Sequence, residues 1–193
     1  VRHLRLDPEE LASRCKPIRM PDDTDEADKF VRQAVLSQPE LYFAKLVILG
    51  EGDSEAVVLP RLAKAFDCDL DPSFVTFAPL GGRHVNHFWR LLNDLDIPHL
   101  TLLDFDLGRA NAGPLRFKYV YEQLKILQDL DKPKWLRGDP HSSDYWRRRV
   151  KESQVSRTLD WMTKRGVFFA YPLDLDMMML QAYPAAYGVG GEG

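Results

Sequence analysis

Four short, continuous apolar runs, separated by stretches of helical periodicity, constrain this chain more than any other feature. The runs are Leu46-Val47-Ile48-Leu49, Phe74-Val75-Thr76-Phe77, Leu100-Thr101-Leu102-Leu103 and Val167-Phe168-Phe169-Ala170. Apolar residues that follow one another without alternation predict strands buried on both faces. A helical stretch after the first run reaches about Phe66, with Pro60 expected to kink it or start it anew. Val85, Phe88, Trp89, Leu92 and Leu95 then repeat at helical spacing, as do Phe117, Val120, Tyr121, Leu124 and Leu127. A more polar helical region, about 141–165, contains Trp146, Val150, Leu159 and Met162. Strands that alternate with helices imply right-handed crossovers, and so an α/β fold with a mostly parallel four-stranded sheet flanked by helices. The expected organisation is a helical lead-in or linker over 1–43, an α/β core over 44–107, a helical insertion over 108–166, and the last strand with its acidic motif and tail over 167–193. The lead-in reads as turn-rich and polar up to residue 22, with Pro8, Pro17 and Pro21. A helix capped by Thr24 follows, with Phe30, Val31, Ala34 and Val35 as its apolar stripe.

Composition removes several function classes. The 193 residues are 45% hydrophobic and 28% charged, the balance of a globular protein rather than a disordered one. No apolar run approaches the roughly 20 residues of a membrane span, and the charged opening VRHLRLDPEE is not a signal peptide, which together predict a cytoplasmic protein without a membrane partner. The chain begins without Met and ends in GVGGEG, and is expected to be a piece of a longer polypeptide. Cys15 and Cys68 lack zinc-ligand spacing and suggest no disulfide, only free thiols in a reducing compartment. The net charge of −3, from 26 Lys plus Arg against 29 Asp plus Glu, argues mildly against nucleic-acid binding. Bound divalent cations would reverse that balance locally. The basic run Arg147, Arg148, Arg149 and Lys151 reads equally well as a DNA contact or as the solvated face of a helix.

The acidic residues are placed more tellingly. In sheets of this kind, ligand sites collect beyond the carboxyl ends of the strands. Three of the four predicted strands end there in carboxylates: Glu51, Asp53 and Glu55 after the first, Asp104 and Asp106 after the third, Asp174 and Asp176 after the fourth. Carboxylates gathered at one sheet edge repel each other unless cations neutralise them, and hard oxygen donors select Mg²⁺, Mn²⁺ or Ca²⁺. Each cluster alone reads as a solvated turn, and Asp53 either contributes or caps the following helix. Three at successive strand ends point to phosphoryl transfer. The glycines around Glu51 are expected to let the backbone turn sharply and carry its side chain over the sheet.

The segment LVILGEGDSEAVVLP resembles the first motif of the Toprim fold, a strand followed by Glu in a glycine-bounded turn. LTLLDFDLGR resembles the second, a strand-terminal DxD, and APLGGRHVNHF resembles the Gly-Gly segment between them. With YPLDLDMMML and the lead-in LDPEELASRCKPIRMPDDTDEADKF, the chain is most similar to the class 2 overcoming-lysogenization-defect (OLD) nucleases of bacterial phage defence. The resemblance is strong over about 44–107 and looser elsewhere. It implies a metal-dependent DNA endonuclease, and the carboxylates this chain adds to the Toprim motifs lead to an expectation of two Mg²⁺ or Mn²⁺ ions. Glu51, Asp104 and Asp106 would hold the first ion; Glu55, Asp174 and Asp176 are chosen for the second, about 4 Å away. Catalysis would rest on Glu51, Glu55, Asp104 and Asp106, while the backbone N–H groups of Gly81 and Gly82 would meet a DNA phosphate; Arg83 and His84 read equally well as contacts to the strand or as surface residues at a helix start. It also implies an amino-terminal ABC-type ATPase domain in the same polypeptide and a homodimer. No GxxxxGK[ST] loop is present, so ATP would bind only through that other domain. The resemblance further implies a lysine beyond the fourth strand. After Asp176 the chain has no Lys or Arg, so that role lies past Gly193 or falls to an earlier residue.

Competing readings have their own expectations. A tyrosine nucleophile would need a residue such as Tyr171, which reads better as an aromatic strand end. A DxD phosphatase, another phosphoryl-transfer enzyme, would carry its nucleophilic Asp after the first strand, not the third. A receiver-like domain would need a lysine at a later strand end. A non-catalytic Toprim scaffold that binds DNA, like a recombination mediator, has no need of six clustered carboxylates.

Overall fold

Strands buried on both faces need apolar side chains on both, and the residues of the four expected strands meet that requirement. The computed structural model describes residues 2–7, 9–17, 36, 38–80, 85–109, 112–128, 142–148 and 152–188. The helix expected after Thr24 falls outside them. The chain divides into two compact units, residues 1–100 and 101–193.

The first unit opens on a hairpin that the polar lead-in did not suggest. Strand β1 (Arg2–Asp7) pairs antiparallel with β2 (Ala12–Pro17), in register from Arg2 with Pro17 to Asp7 with Ala12. Leu11 takes a left-handed turn conformation at φ 51°, and the Asp7 carboxylate accepts the Glu9 and Glu10 N–H groups at 3.0 and 3.1 Å. Those N–H donors, Glu10 first, hold the Asp7 carboxyl below its usual range. The hairpin is tied down by polar contacts: the His3 Nε2 donates to the Tyr42 carbonyl at 2.7 Å, and Lys16 pairs with Asp96. Leu4 and Leu6 stay 70% and 64% exposed, so apolar burial is not what orders it.

Strand β3 (Leu46–Gly50) pairs in parallel with β4 (Val75–Pro79), in register from Leu46 with Val75 to Gly50 with Pro79. Val47, Leu49, Ala78 and Leu80 are fully buried. Helix α1 (Asp53–Ala65) runs through Pro60 as one element; of the kink or restart expected there, the restart does not occur. Helix α2 (Val85–Asp94) buries Val85, Phe88, Trp89, Leu91 and Leu92, the stripe its spacing predicts.

Strand β5 (His99–Asp104) leads into the second unit, where it pairs in parallel with β6 (Val167–Ala170), in register from Thr101 with Val167 to Asp104 with Ala170. Each unit thus holds one parallel strand pair, β3 with β4 in the first and β5 with β6 in the second. Helix α3 (Pro114–Gln128) buries Phe117, Val120, Tyr121 and Leu124. Helices α4 (Ser143–Arg148) and α5 (Glu152–Thr163) follow, then α6 (Leu175–Ala182) after β6. Phe105, fully buried, sits 4.7 Å from Phe117 and 5.2 Å from Tyr171 between ring centroids. That aromatic cluster packs beneath the turn carrying Asp106. Among the described residues, no helix is long and apolar enough to cross a membrane.

One pH effect follows from β5. Burial pulls the pKa of the half-buried His99 below its ordinary 6.5, while the hydrogen bond to the Ile97 carbonyl opposes the shift. The unfolded chain therefore binds this proton more readily. The stability it contributes is present above pH 6.5 and is lost as pH falls through the lower folded value. Thermal melts between pH 7.5 and 5.5 should show a falling midpoint, and His99→Gln should flatten the curve. An equally steep curve for the variant would remove His99 from the cause.

Candidate metal centre

The acidic residue of the first unit is set up by a glycine. A Cβ on Gly50 would lie 2.6 Å from Phe77 Cζ and 2.8 Å from Glu55 Cβ, so only glycine lets β3 end against α1 this closely. Gly52 is different. Its φ of −154° is extended backbone open to any residue, and a Cβ there would meet nothing nearer than Glu55 Oε2 at 3.8 Å. The expected role of the glycine pair thus belongs to Gly50, through close approach rather than an unusual turn.

Glu51 follows in the turn, half-buried, and α1 starts at Asp53 with Gly52 as its N-cap. Asp53 is exposed in the first turn, favourable beside the positive helix end. Glu55 is 3% exposed and reaches back so that its Oε2 accepts the Gly52 N–H at 2.9 Å. That is the glutamate half of a capping box. It gives Glu55 a structural duty at the helix start.

In the second unit the DxD pair is built into a hydrogen-bonded knot. Asp104 closes β5, and its Oδ1 accepts the Leu175 N–H at 3.2 Å. Asp106 adopts a left-handed φ of 54°, tolerable for Asp, and its N–H donates to the Leu173 carbonyl at 2.7 Å. Its carboxylate is 5% exposed, and a buried charge requires partners. Two arginines supply them. Arg109 Nη1 donates to Oδ1 at 2.5 Å, and Arg116 Nη2 donates to Oδ2 at 2.8 Å. Arg109 also reaches Asp174, donating from Nη2 to Oδ2 at 3.1 Å.

Asp174 is the N-cap of α6 and accepts the Met177 N–H at 2.8 Å. The helix starts at Leu175, so Asp176 belongs to its first turn and is exposed. Asp104, Asp106 and Asp174 are therefore joined in one network, through Arg109 and the start of α6. Gly81, Gly82, Arg83 and His84 lie outside the described residues. Sequence reasoning gave no role to Arg109 or Arg116. The signal available was Arg109 at the end of LTLLDFDLGR, three residues past Asp106.

Among the described residues, no three Asp, Glu, His or Cys side chains stand as placed around a common point suited to a metal. Arginines and helix N–H groups hold the carboxylate oxygens instead. The donor set still fits a hard divalent cation, since every candidate ligand is a carboxylate oxygen. A cation already bridges two of them: the Arg109 guanidinium between Asp106 and Asp174.

Residues 42–106 match the family described as "Overcoming lysogenization defect protein-like, TOPRIM domain". This segment is similar to OLD-like Toprim domains. The matched residues run from before β3 to Asp106, so they contain Glu51 and both aspartates of the DxD. Endonuclease GajA of Bacillus cereus (strain VD045) is 32% identical over 84 residues, 44% of this chain and 14% of that protein. The C-terminal region of the Burkholderia pseudomallei OLD protein superposes with a TM-score of 0.58 at 22% identity, covering 75% of this chain and 63% of that one. The corresponding region of the Xanthomonas campestris pv. campestris OLD protein gives 0.54 at 21%, covering 76% and 60%. The chain thus spans a small part of the curated relative it matches and about three fifths of the solved regions. The structural likenesses establish the fold, and the expected Toprim architecture is the observed one.

Proposed function

We propose that this Toprim domain is the catalytic part of a metal-dependent DNA endonuclease. The observation that carries the reading is the co-occurrence, within the single matched segment 42–106, of a glutamate after one strand and an Asp pair after another. Glu51, Asp104 and Asp106 would hold one Mg²⁺ or Mn²⁺, with Glu55, Asp174 and Asp176 as the donors for a second. The position of these carboxylates just past the ends of parallel strands supports this placement, since open α/β sheets bind ligands beyond the carboxyl ends of their strands. Bound there, divalent cations would supply a Lewis acid that lowers the pKa of water and neutralises phosphate charge.

The chain's own residues have more limited tasks. Asp104 and Asp174 fix the start of α6 beside the DxD, while Glu55 fixes the start of α1 beside Glu51. Arg116 orients the Asp106 carboxylate from α3. The wider polypeptide is proposed to include an amino-terminal ATPase domain and to dimerise.

A second reading, a non-catalytic DNA-binding scaffold, is favoured by one observation: arginines occupy both oxygens of Asp106. Supercoiled plasmid separates the two. With Mg²⁺ or Mn²⁺ the chain should yield nicked and linear DNA, with chelator none, and with Ca²⁺ little, because its looser coordination positions water poorly. Plasmid intact under every metal at high protein concentration would leave the scaffold as the better account.

A further inference from the structure

We propose that Arg109 is a displaceable counter-cation, which neutralises Asp106 and Asp174 in the metal-free protein and gives up its place when a divalent cation arrives. The inference rests on the metal-site reading above. Its basis is a contrast between two arginines on one carboxylate. Arg109 bridges carboxylates from two separate segments, one nitrogen on each, so its guanidinium stands on the oxygens that would hold a hard cation. Its side chain is 62% exposed, and it follows Gly108, whose φ is 91°, in a turn outside any helix. Arg116 is only 28% exposed and projects from α3.

Solvent-exposed ion pairs hold weakly, each shifting an equilibrium by about fivefold or less. The half-buried Arg116 contact is less screened by solvent, and in a rigid helix it has less freedom to leave. While both arginines are in place, Asp106 has an arginine on each oxygen. Departure of Arg109 alone frees Oδ1 of Asp106 and Oδ2 of Asp174 together, and Arg116 keeps Asp106 aimed. Without some cation, Asp106 and Asp174 would repel one another, so the exchange keeps the site neutralised at each stage.

Calorimetric titration of the chain with Mg²⁺ tests this, alongside Arg109→Ala, Arg116→Ala and the control Lys118→Ala. Lys118 pairs with Glu122, away from the carboxylates in question, so its loss removes the same charge without vacating the site. Arg109→Ala should bind Mg²⁺ roughly threefold to tenfold tighter, Arg116→Ala more weakly, and Lys118→Ala within about twofold of the parent. Dicarbonyl labelling read by peptide mass mapping gives an independent measure. Mg²⁺ should raise modification of Arg109 in the parent chain and leave Arg116 unchanged. Should Arg109→Ala not fold, Arg109→Gln removes the charge with less loss of packing. Mg²⁺ affinity unchanged or weaker on loss of Arg109, or labelling of Arg109 indifferent to Mg²⁺, overturns the proposal while the metal site stands. Absence of Mg²⁺ binding in parent and variants alike overturns both.

Discussion

Glu51→Gln is expected to lower metal-dependent plasmid cleavage by roughly 10³-fold, the scale on which removal of one charge-stabilising group at a reacting centre acts. The exchange keeps size and hydrogen-bonding capacity while deleting the negative charge a hard cation needs. Glu51 lies in the turn between β3 and α1, half-buried, and the amide is nearly isosteric with it, so the melting temperature should change far less than activity does. Asp106 is a poorer choice for this test. Removing it leaves two guanidinium groups without their shared partner, and lost activity would be confounded with lost structure. Asp104→Asn is the better companion, because an amide oxygen can still accept the Leu175 N–H. Measured nicking rates of folded Glu51→Gln within tenfold of the parent would falsify the ligand assignment.

Gly50→Ala should be the most damaging small substitution in the first unit. The added methyl would lie 2.6 Å from Phe77 Cζ and 2.8 Å from Glu55 Cβ, inside contact distance on both sides. Phe77 belongs to the neighbouring strand and Glu55 is pinned by its bond to the Gly52 N–H, so neither yields readily. Overpacking of this kind costs about 1–3 kcal/mol, which for a chain of this size lowers Tm by roughly 2–12 °C. The strain would also push α1 away from the end of β3 and shift Glu51, so cleavage should fall with stability. Gly52→Ala is the matched comparison, since its Cβ would enter open space at 3.8 Å from the nearest atom. Equal melting temperatures for the two variants would show that the close approach at Gly50 is not what the position requires.

The four core strands were legible because each carries an unbroken apolar run, although burial is uneven along them: Phe168 in β6 stays 38% exposed. Helices α2 and α3 were legible by their spacing. The hairpin at the start was not, although Leu4 and Leu6 alternate with charged residues. Its leucines remain mostly exposed and its attachments are polar bonds to Tyr42 and Asp96, which leave no hydrophobic signature. In the candidate site, the residue types at the strand ends could be read, but their hydrogen-bonding duties could not. Whether Asp174 begins a helix or precedes one turns on a single residue, and that residue decides that Asp174 caps and Asp176 faces outward. The arginine bridge joins positions 65 apart in sequence, a pairing that local pattern cannot announce.

The backbone around Asp106 also bears on how freely this region can be lengthened. Phe105, Asp106 and Leu107 donate in turn to the carbonyls of Ala170, Leu173 and Pro172, and Gly113 donates back to Phe105. The segment on either side of some sixty intervening residues is thereby stitched into one short seam, with the acidic side chains set along it. Once both ends of a loop are pinned, its length matters little: each doubling adds only about 0.6 kcal/mol of closure entropy. The connection between α3 and α5 can accordingly be lengthened at small thermodynamic penalty, provided the two helices keep their buried residues, Val120, Tyr121, Leu124, Val155 and Met162 among them, and the Arg116 contact to Asp106. Specificity and partner contacts could then diversify within that stretch while the seam holds the carboxylates in a constant frame.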